Sequence, residues 1–141
     1  MTTVELRAAK IPFIGLIAVH CWFVVREDNT ETRWEIWQTR SVREPSWGHL
    51  HKNLMAPNRG VGNGDSWAIA TWTDQKAATL ANVLKTSSET YPHNYLYRYV
   101  PGPNSNTYVR WILDQANIKF PVIPKAVGQY YRYLFGGWHK S

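Results

Sequence analysis

Three residues have the types an acyl-transfer site needs: Ser105 in "PGPNSNTYVRWI", His20 in "LIAVHCWFVV" and Glu35 in "RWEIW". Ser105 follows Pro-Gly-Pro, where a helical pattern begins, and is flanked by Asn104, Asn106 and Thr107. One such side chain caps a helix and contributes about 1 kcal/mol. Four small polar residues in a row exceed what a cap needs. A first-turn side chain also meets the positive end of the helix dipole, which stabilises an anion and helps hold a developing oxyanion. A serine there becomes a nucleophile when a base reaches it. His20 is the candidate base, on an apolar strand whose alternation gives it a face with Ala18, Trp22 and Val24. The plainer readings are a hydrogen-bonded core histidine and a rigid turn whose polar side chains satisfy backbone groups.

The other reactive types carry less. His49 and His51 share a face if "HLH" is extended, but no third ligand stands at local or helical spacing, and His93 and His139 are isolated. Neither a metal site nor a cofactor is expected. The G-x-G-x-G of residues 60–64 runs into a strand rather than a helix, which is the wrong context for a phosphate loop. Cys21 is the only cysteine, so neither an internal disulfide nor a cysteine-based zinc site is possible. As the neighbour of His20 on a strand, Cys21 points to the opposite face.

The elements that must position these groups follow from periodicity. Residues 13–25 read as a strand, within an apolar run at 11–25 taken as one buried strand; 26–32 reads as a turn. Residues 33–40 read as its hairpin partner, with Trp34 and Ile36 alternating against Glu35 and Trp37. Residues 41–64 look like a long loop, 65–73 like a third strand and 95–100 like a fourth. A helix is predicted over 74–88, capped by Thr73, with Ala77, Leu80, Ala81 and Leu84 on one face. A second is predicted over 105–117, with Val109, Ile112, Leu113 and Ala116 inward and an Arg110–Asp114 pair outward. The aromatic C-terminal tail has no assignable pattern. The order predicts an α+β fold, a mostly antiparallel sheet with two main helices, in a single domain over 1–141.

The chain has 141 residues, 44% of them hydrophobic, which suits one globular core. Its net charge of +6 is scattered, which excludes a basic tail, and its 8 Trp and 8 Tyr serve a core or a ligand cleft equally. The apolar run after Arg7 and Lys10 contains Pro12, Gly15 and His20 and lacks a small-x-small cleavage site. It reads as neither a signal peptide nor a membrane span. A cytoplasmic location is expected, and non-classical export is compatible with it.

Together "PGPNSNTYVRWI", "AVHCWFVV", "WGHLHKNL" and "AVGQYY" resemble, over nearly the whole chain, an uncharacterised bacterial domain family whose hallmark is P-G-P-N-S-N-T-[FY]. More distantly, the chain resembles circularly permuted papain-like hydrolases, the group of bacterial cell-wall peptidases and lecithin-retinol acyltransferases. These carry a histidine on an early strand and a later N-C-x-x-F motif opening a helix. The resemblance implies a papain-like fold, with His20 as the histidine, Ser105 at the cysteine position and Glu35 orienting the histidine. Serine in place of cysteine makes the nucleophile depend on its base.

Three classes of function follow. The first is a hydrolase or acyltransferase acting on an amide or ester through Ser105, His20 and Glu35. First-turn N–H groups of the helix form its oxyanion hole, and Asn104, Asn106, Thr107, Trp22 and His51 lie around the substrate. The second is an inactive module of the same fold, whose aromatic cleft binds a peptide, glycan or lipid. The third, least favoured, is a basic surface for nucleic acid, for which no motif is present.

Overall fold

The computed structural model describes residues 1–13, 16–41, 45–121 and 123–131. Its elements are β1 (Thr2–Phe13), β2 (Leu16–Glu27), β3 (Thr30–Ser41), β4 (Ser46–Lys52), β5 (Trp67–Trp72), α1 (Asp74–Thr90) and α2 (Ser105–Gln115). A short 3-10 turn at Val61–Asn63 interrupts the β4–β5 connection. The strands form one antiparallel sheet in the order β4-β3-β2-β1-β5, and with the two helices this is an α+β fold.

Alternation along the central strands sorts two faces. Val4, Leu6 and Ala8 of β1 and Val19, Cys21 and Phe23 of β2 face the helices and form the main core. The predicted inward faces of both helices meet them there, Leu80 and Leu84 from α1 and Ile112 and Leu113 from α2. The far face of the sheet carries a smaller apolar cluster of Ala9, Trp22 and Val24. The connection from β4 to β5 must cross from one side of the sheet to the other, and it covers this face. Its backbone supplies acceptors: Trp22 Nε1 donates to Pro57 O at 2.9 Å, and Arg33 Nη1 donates to Ala56 O at 2.9 Å and Arg59 O at 2.5 Å. Gly60 packs so closely on β1 that a Cβ there would stand 2.8 Å from Ala9.

Several sequence expectations need correction. The apolar run at 11–25 is not one strand; it is shared by the end of β1 and most of β2, paired as far as Phe13 opposite Leu16. Both strands are apolar at their junction, so composition hides the division. The turn expected over 26–32 is shorter, since β2 reaches Glu27 and β3 starts at Thr30, with Asp28 at a left-handed φ of 51°. Residues 46–52, taken as loop, form β4. Gly48, at φ +62°, allows the close approach of Asn94, whose carbonyl accepts from His49 N at 2.7 Å. Residues 95–100, expected as a strand, are turns and irregular chain. Their tyrosines pack singly, as Tyr97 does on His49 with ring centroids 5.4 Å apart. Thr73 stands at the N-cap of α1, but its hydroxyl donates to the Asp74 carboxylate rather than accepting from the helix backbone.

Candidate functional site

The site is built at a split in the sheet. β2 and β3 pair from Glu27–Thr30 to Phe23–Trp34, and beyond that point the ladder between them ends. The backbone of β2 next to His20 needs other partners. Asn106, in the first turn of α2, provides them. Its Oδ1 accepts from Cys21 N at 3.2 Å, and its Nδ2 donates to Val19 O at 2.8 Å and Val127 O at 2.9 Å. The motif thus grips β2 on both sides of His20.

His20 lies on the far face, buried under the crossover connection, with its Nε2 2.7 Å from Glu35 Oε2. A carboxylate only accepts, so Nε2 carries a proton, and whenever the ring is neutral Nδ1 holds the lone pair. That Nδ1 is buried and has no hydrogen-bond partner. The ring is wedged between Trp22, stacked at 5.4 Å, and Trp37, edge-on at 4.6 Å. Arg33 holds Glu35 from the other side through a fork, Nε to Oε1 at 2.7 Å and Nη2 to Oε2 at 2.9 Å, while its guanidinium lies 4.0 Å over Trp22. Burial by itself pushes the Glu35 carboxyl up. The hydrogen bond from His20 and the contacts with Arg33 outweigh it and hold the group below the usual carboxylate range. A cavity of about 90 Å³ opens beside His20, Glu35 and Trp37, walled by Leu54 and Met55 of the connection.

The opening motif divides its labour. Asn104 is the N-cap of α2: its Oδ1 accepts from Asn106 N at 3.0 Å and Thr107 N at 3.3 Å, and Thr107 Oγ1 accepts in return from Asn104 N at 3.1 Å. Asn104 Nδ2 donates to Tyr99 O at 2.7 Å, and Thr107 Oγ1 donates to Gly128 O at 2.8 Å. Asn104, Asn106 and Thr107, expected around a substrate, therefore build the fold. The N–H groups of Asn106 and Thr107, expected in an oxyanion hole, belong to the cap, which leaves the Ser105 N–H as the first-turn donor outside it. The Ser105 hydroxyl makes none of these structural bonds. It sits in a narrow cleft walled by Val19, Trp37, Tyr97 and Tyr99, where burial and Tyr99 push the Tyr97 phenol up to about 12 and keep it neutral.

His20 and Glu35 are brought into direct contact, whereas no hydrogen bond joins Ser105 to His20. Ser105 belongs to the helix side of the split and His20 to the far side, and Trp37 lines both cavities. Trp22 and His51, expected at the substrate, are buried and committed. Trp22 carries Arg33 and bonds Pro57, and His51 joins Ser46 Oγ at 2.6 Å and Thr39 O at 2.8 Å. His49, the other member of "HLH", bonds Trp37 O at 3.0 Å. Arg33 and Trp37 were not singled out from the sequence. Alternation places both on the Glu35 face of β3, and an arginine two residues before a strand glutamate was the available signal.

These features define an α+β protein whose sheet splits beside a buried His–Glu–Arg cluster, with a helix-capping motif filling the split. The chain belongs to the family described as protein of unknown function (DUF3750), whose model matches residues 1–131. No curated protein and no solved structure gives a significant match.

Proposed function

We propose that the protein is a serine-type hydrolase or acyltransferase acting on an amide or ester, on a fold akin to the permuted papain-like enzymes. One observation carries this reading. The imidazole of His20 has Nε2 fixed by Glu35 and Nδ1 unpartnered, and it lies at the point where Asn106 clamps the neighbouring chain next to Ser105. In the reaction His20 Nδ1 takes the proton from Ser105 Oγ, and Oγ attacks the substrate carbonyl. Glu35 stabilises the imidazolium, and Arg33 keeps Glu35 ionised. The Ser105 N–H and the α2 dipole face the oxyanion. The imidazolium returns its proton to the leaving amine or alcohol, and water or a second acceptor releases the acyl group from Ser105. Bond distances between nucleophile and base shorten when substrate binds. Trp37, which lines both cavities and lies edge-on to His20, is the side chain whose movement would open one cavity to the other in this reading.

A second reading, an inactive binding module, is favoured by the missing Ser105–His20 bond and by the aromatic walls of the Ser105 cleft. A fluorophosphonate probe followed by peptide mass spectrometry separates the two. The catalytic reading expects modification of Ser105, lost in Ser105→Ala and strongly slowed in His20→Gln, together with ester turnover that follows the same order. A wild-type protein that stays unlabelled, with turnover across acyl esters no faster than Ser105→Ala, leaves the binding module.

A further inference from the structure

We infer that the protein binds a small anionic amphiphile in a cavity where β1, β2 and β5 meet the segment around Lys125, and that the substrate of Ser105 is an ester or amide carrying such an anionic group, which expels its alcohol or amine when Ser105 takes the acyl group; only the second part rests on the catalytic reading. The cavity measures about 360 Å³, within the range of small-molecule sites. Val19, Ile69, Ile123 and the indole of Trp67 form its apolar walls, and Lys10 and Lys125 stand at its rim. Val19 and Ile123 are core residues, so that part of the wall is fixed, while Trp67 keeps 41% of its surface exposed. Lys10 continues the register of Val4, Leu6 and Ala8, the helix-facing row of β1, and pairs with Val19 across the ladder. A cation thus occupies the next place in an apolar row. Lys125 holds a left-handed φ of 63°, uncommon for a residue with a side chain. Its carbonyl accepts from Val19 N at 3.0 Å and Val127 N at 3.1 Å, which ties its backbone to β2.

Both lysines are exposed, and no ion pair joins either to a carboxylate among the described residues. Apolar walls with two such cations at the mouth fit an alkyl or aryl group ending in a carboxylate or phosphate. Val19 also lines the Ser105 cleft, so the two spaces share a wall on the helix side of the sheet. A ligand anchored by its anion at the lysines would reach toward the nucleophile along Val19, the residue that lines both spaces.

Titration calorimetry on the full chain tests the site with hexanoate, octanoate and decanoate below their micellar range. Decanol and decyltrimethylammonium serve as uncharged and cationic controls, and decyl phosphate as the second anion. One saturable site is expected, tightening up to about fourfold per methylene added. It weakens roughly tenfold when Lys10→Glu and Lys125→Glu are combined, since both charges sit at the surface. It also weakens in Trp67→Ala, and circular dichroism stays native in every variant. The tighter of decanoate and decyl phosphate identifies the head group. Absent binding, equal binding of the cationic control, or indifference to the lysine reversals overturns the inference. Ser105→Ala should bind decanoate as the parent does. Decanoate binding without fluorophosphonate labelling keeps the ligand site and removes the acyl chemistry; labelling without decanoate binding does the reverse.

Discussion

At the scale of single residues, the motif "NSNT" separates one side chain from three. Asn104, Asn106 and Thr107 accept or donate in a closed set of bonds that fixes α2 against β2 and the Gly128 backbone. Ser105 takes no part in that set. Ser105→Ala should therefore leave stability within about 0.5 kcal/mol of the parent. Asn106→Ala orphans buried groups at Val19 and Cys21 and should cost about 2–4 kcal/mol. Urea unfolding of the two variants checks this, and equal losses would show that Ser105 is structural after all. The sequence announced that the motif was over-supplied with caps. It did not announce which residue was spare, because that depends on Val19, Cys21 and Val127, far away in the chain.

At the scale of elements, the sheet and both helices were legible wherever a single face is buried. The faces Ala77–Leu80–Ala81–Leu84 and Val109–Ile112–Leu113 are buried as their spacing predicts. β1 was equally visible in the alternation of Val4, Leu6 and Ala8 with Glu5 and Arg7, but went unassigned ahead of the more apolar run beside it. β4 was hidden by Pro45 and Gly48, which read as loop. The tyrosine-rich 95–100 carried strand propensity but joins no ladder, which shows propensity yielding to context. Two glycines, one beside the motif and one in the β4–β5 connection, report how tightly the chain packs around them. Gly128, at φ +96°, has no space for a Cβ beside the Asn104 amide, while Gly62, at φ +66°, has open space around it. Gly62→Ala should cost about 1 kcal/mol, the backbone preference alone. Gly128→Ala adds a clash with the cap and should cost at least about 3 kcal/mol. Thermal melts of the pair test this, and similar shifts would mean that the 128 region does not brace α2.

At the scale of the whole molecule, the far-face cluster links folding to pH. Glu35 is held below its ordinary value in the fold, so below neutral pH the unfolded chain takes up its proton first. The stabilisation is complete above the unfolded carboxyl value of about 4.3 and is lost as pH falls below it toward the folded value. Glu5 adds to the same trend: burial raises it, but Arg7 and Arg26 bring it below its ordinary value. Glu35→Gln should be clearly less stable than the parent at pH 7, and the gap should narrow as pH drops through that window. Tryptophan fluorescence across an acid titration measures both, and a gap that stays constant would separate Glu35 from the acid transition. His20 and Glu35 could be paired from the sequence through a resemblance alone. Their burial beneath a glycine-rich connection could not, since nothing local marks that connection as a lid with carbonyls aimed at Arg33.

The split between β2 and β3 has one more consequence. Where the ladder stops, a stretch of β2 backbone is unpaired with β3, and the Asn106 carboxamide occupies it together with the Lys125 carbonyl, which accepts from Val19 N. Such a stretch is a template for a strand from another molecule. Asn106 is therefore a guard against self-association as well as a brace, and chains that lose it should find one another through β2 before they unfold.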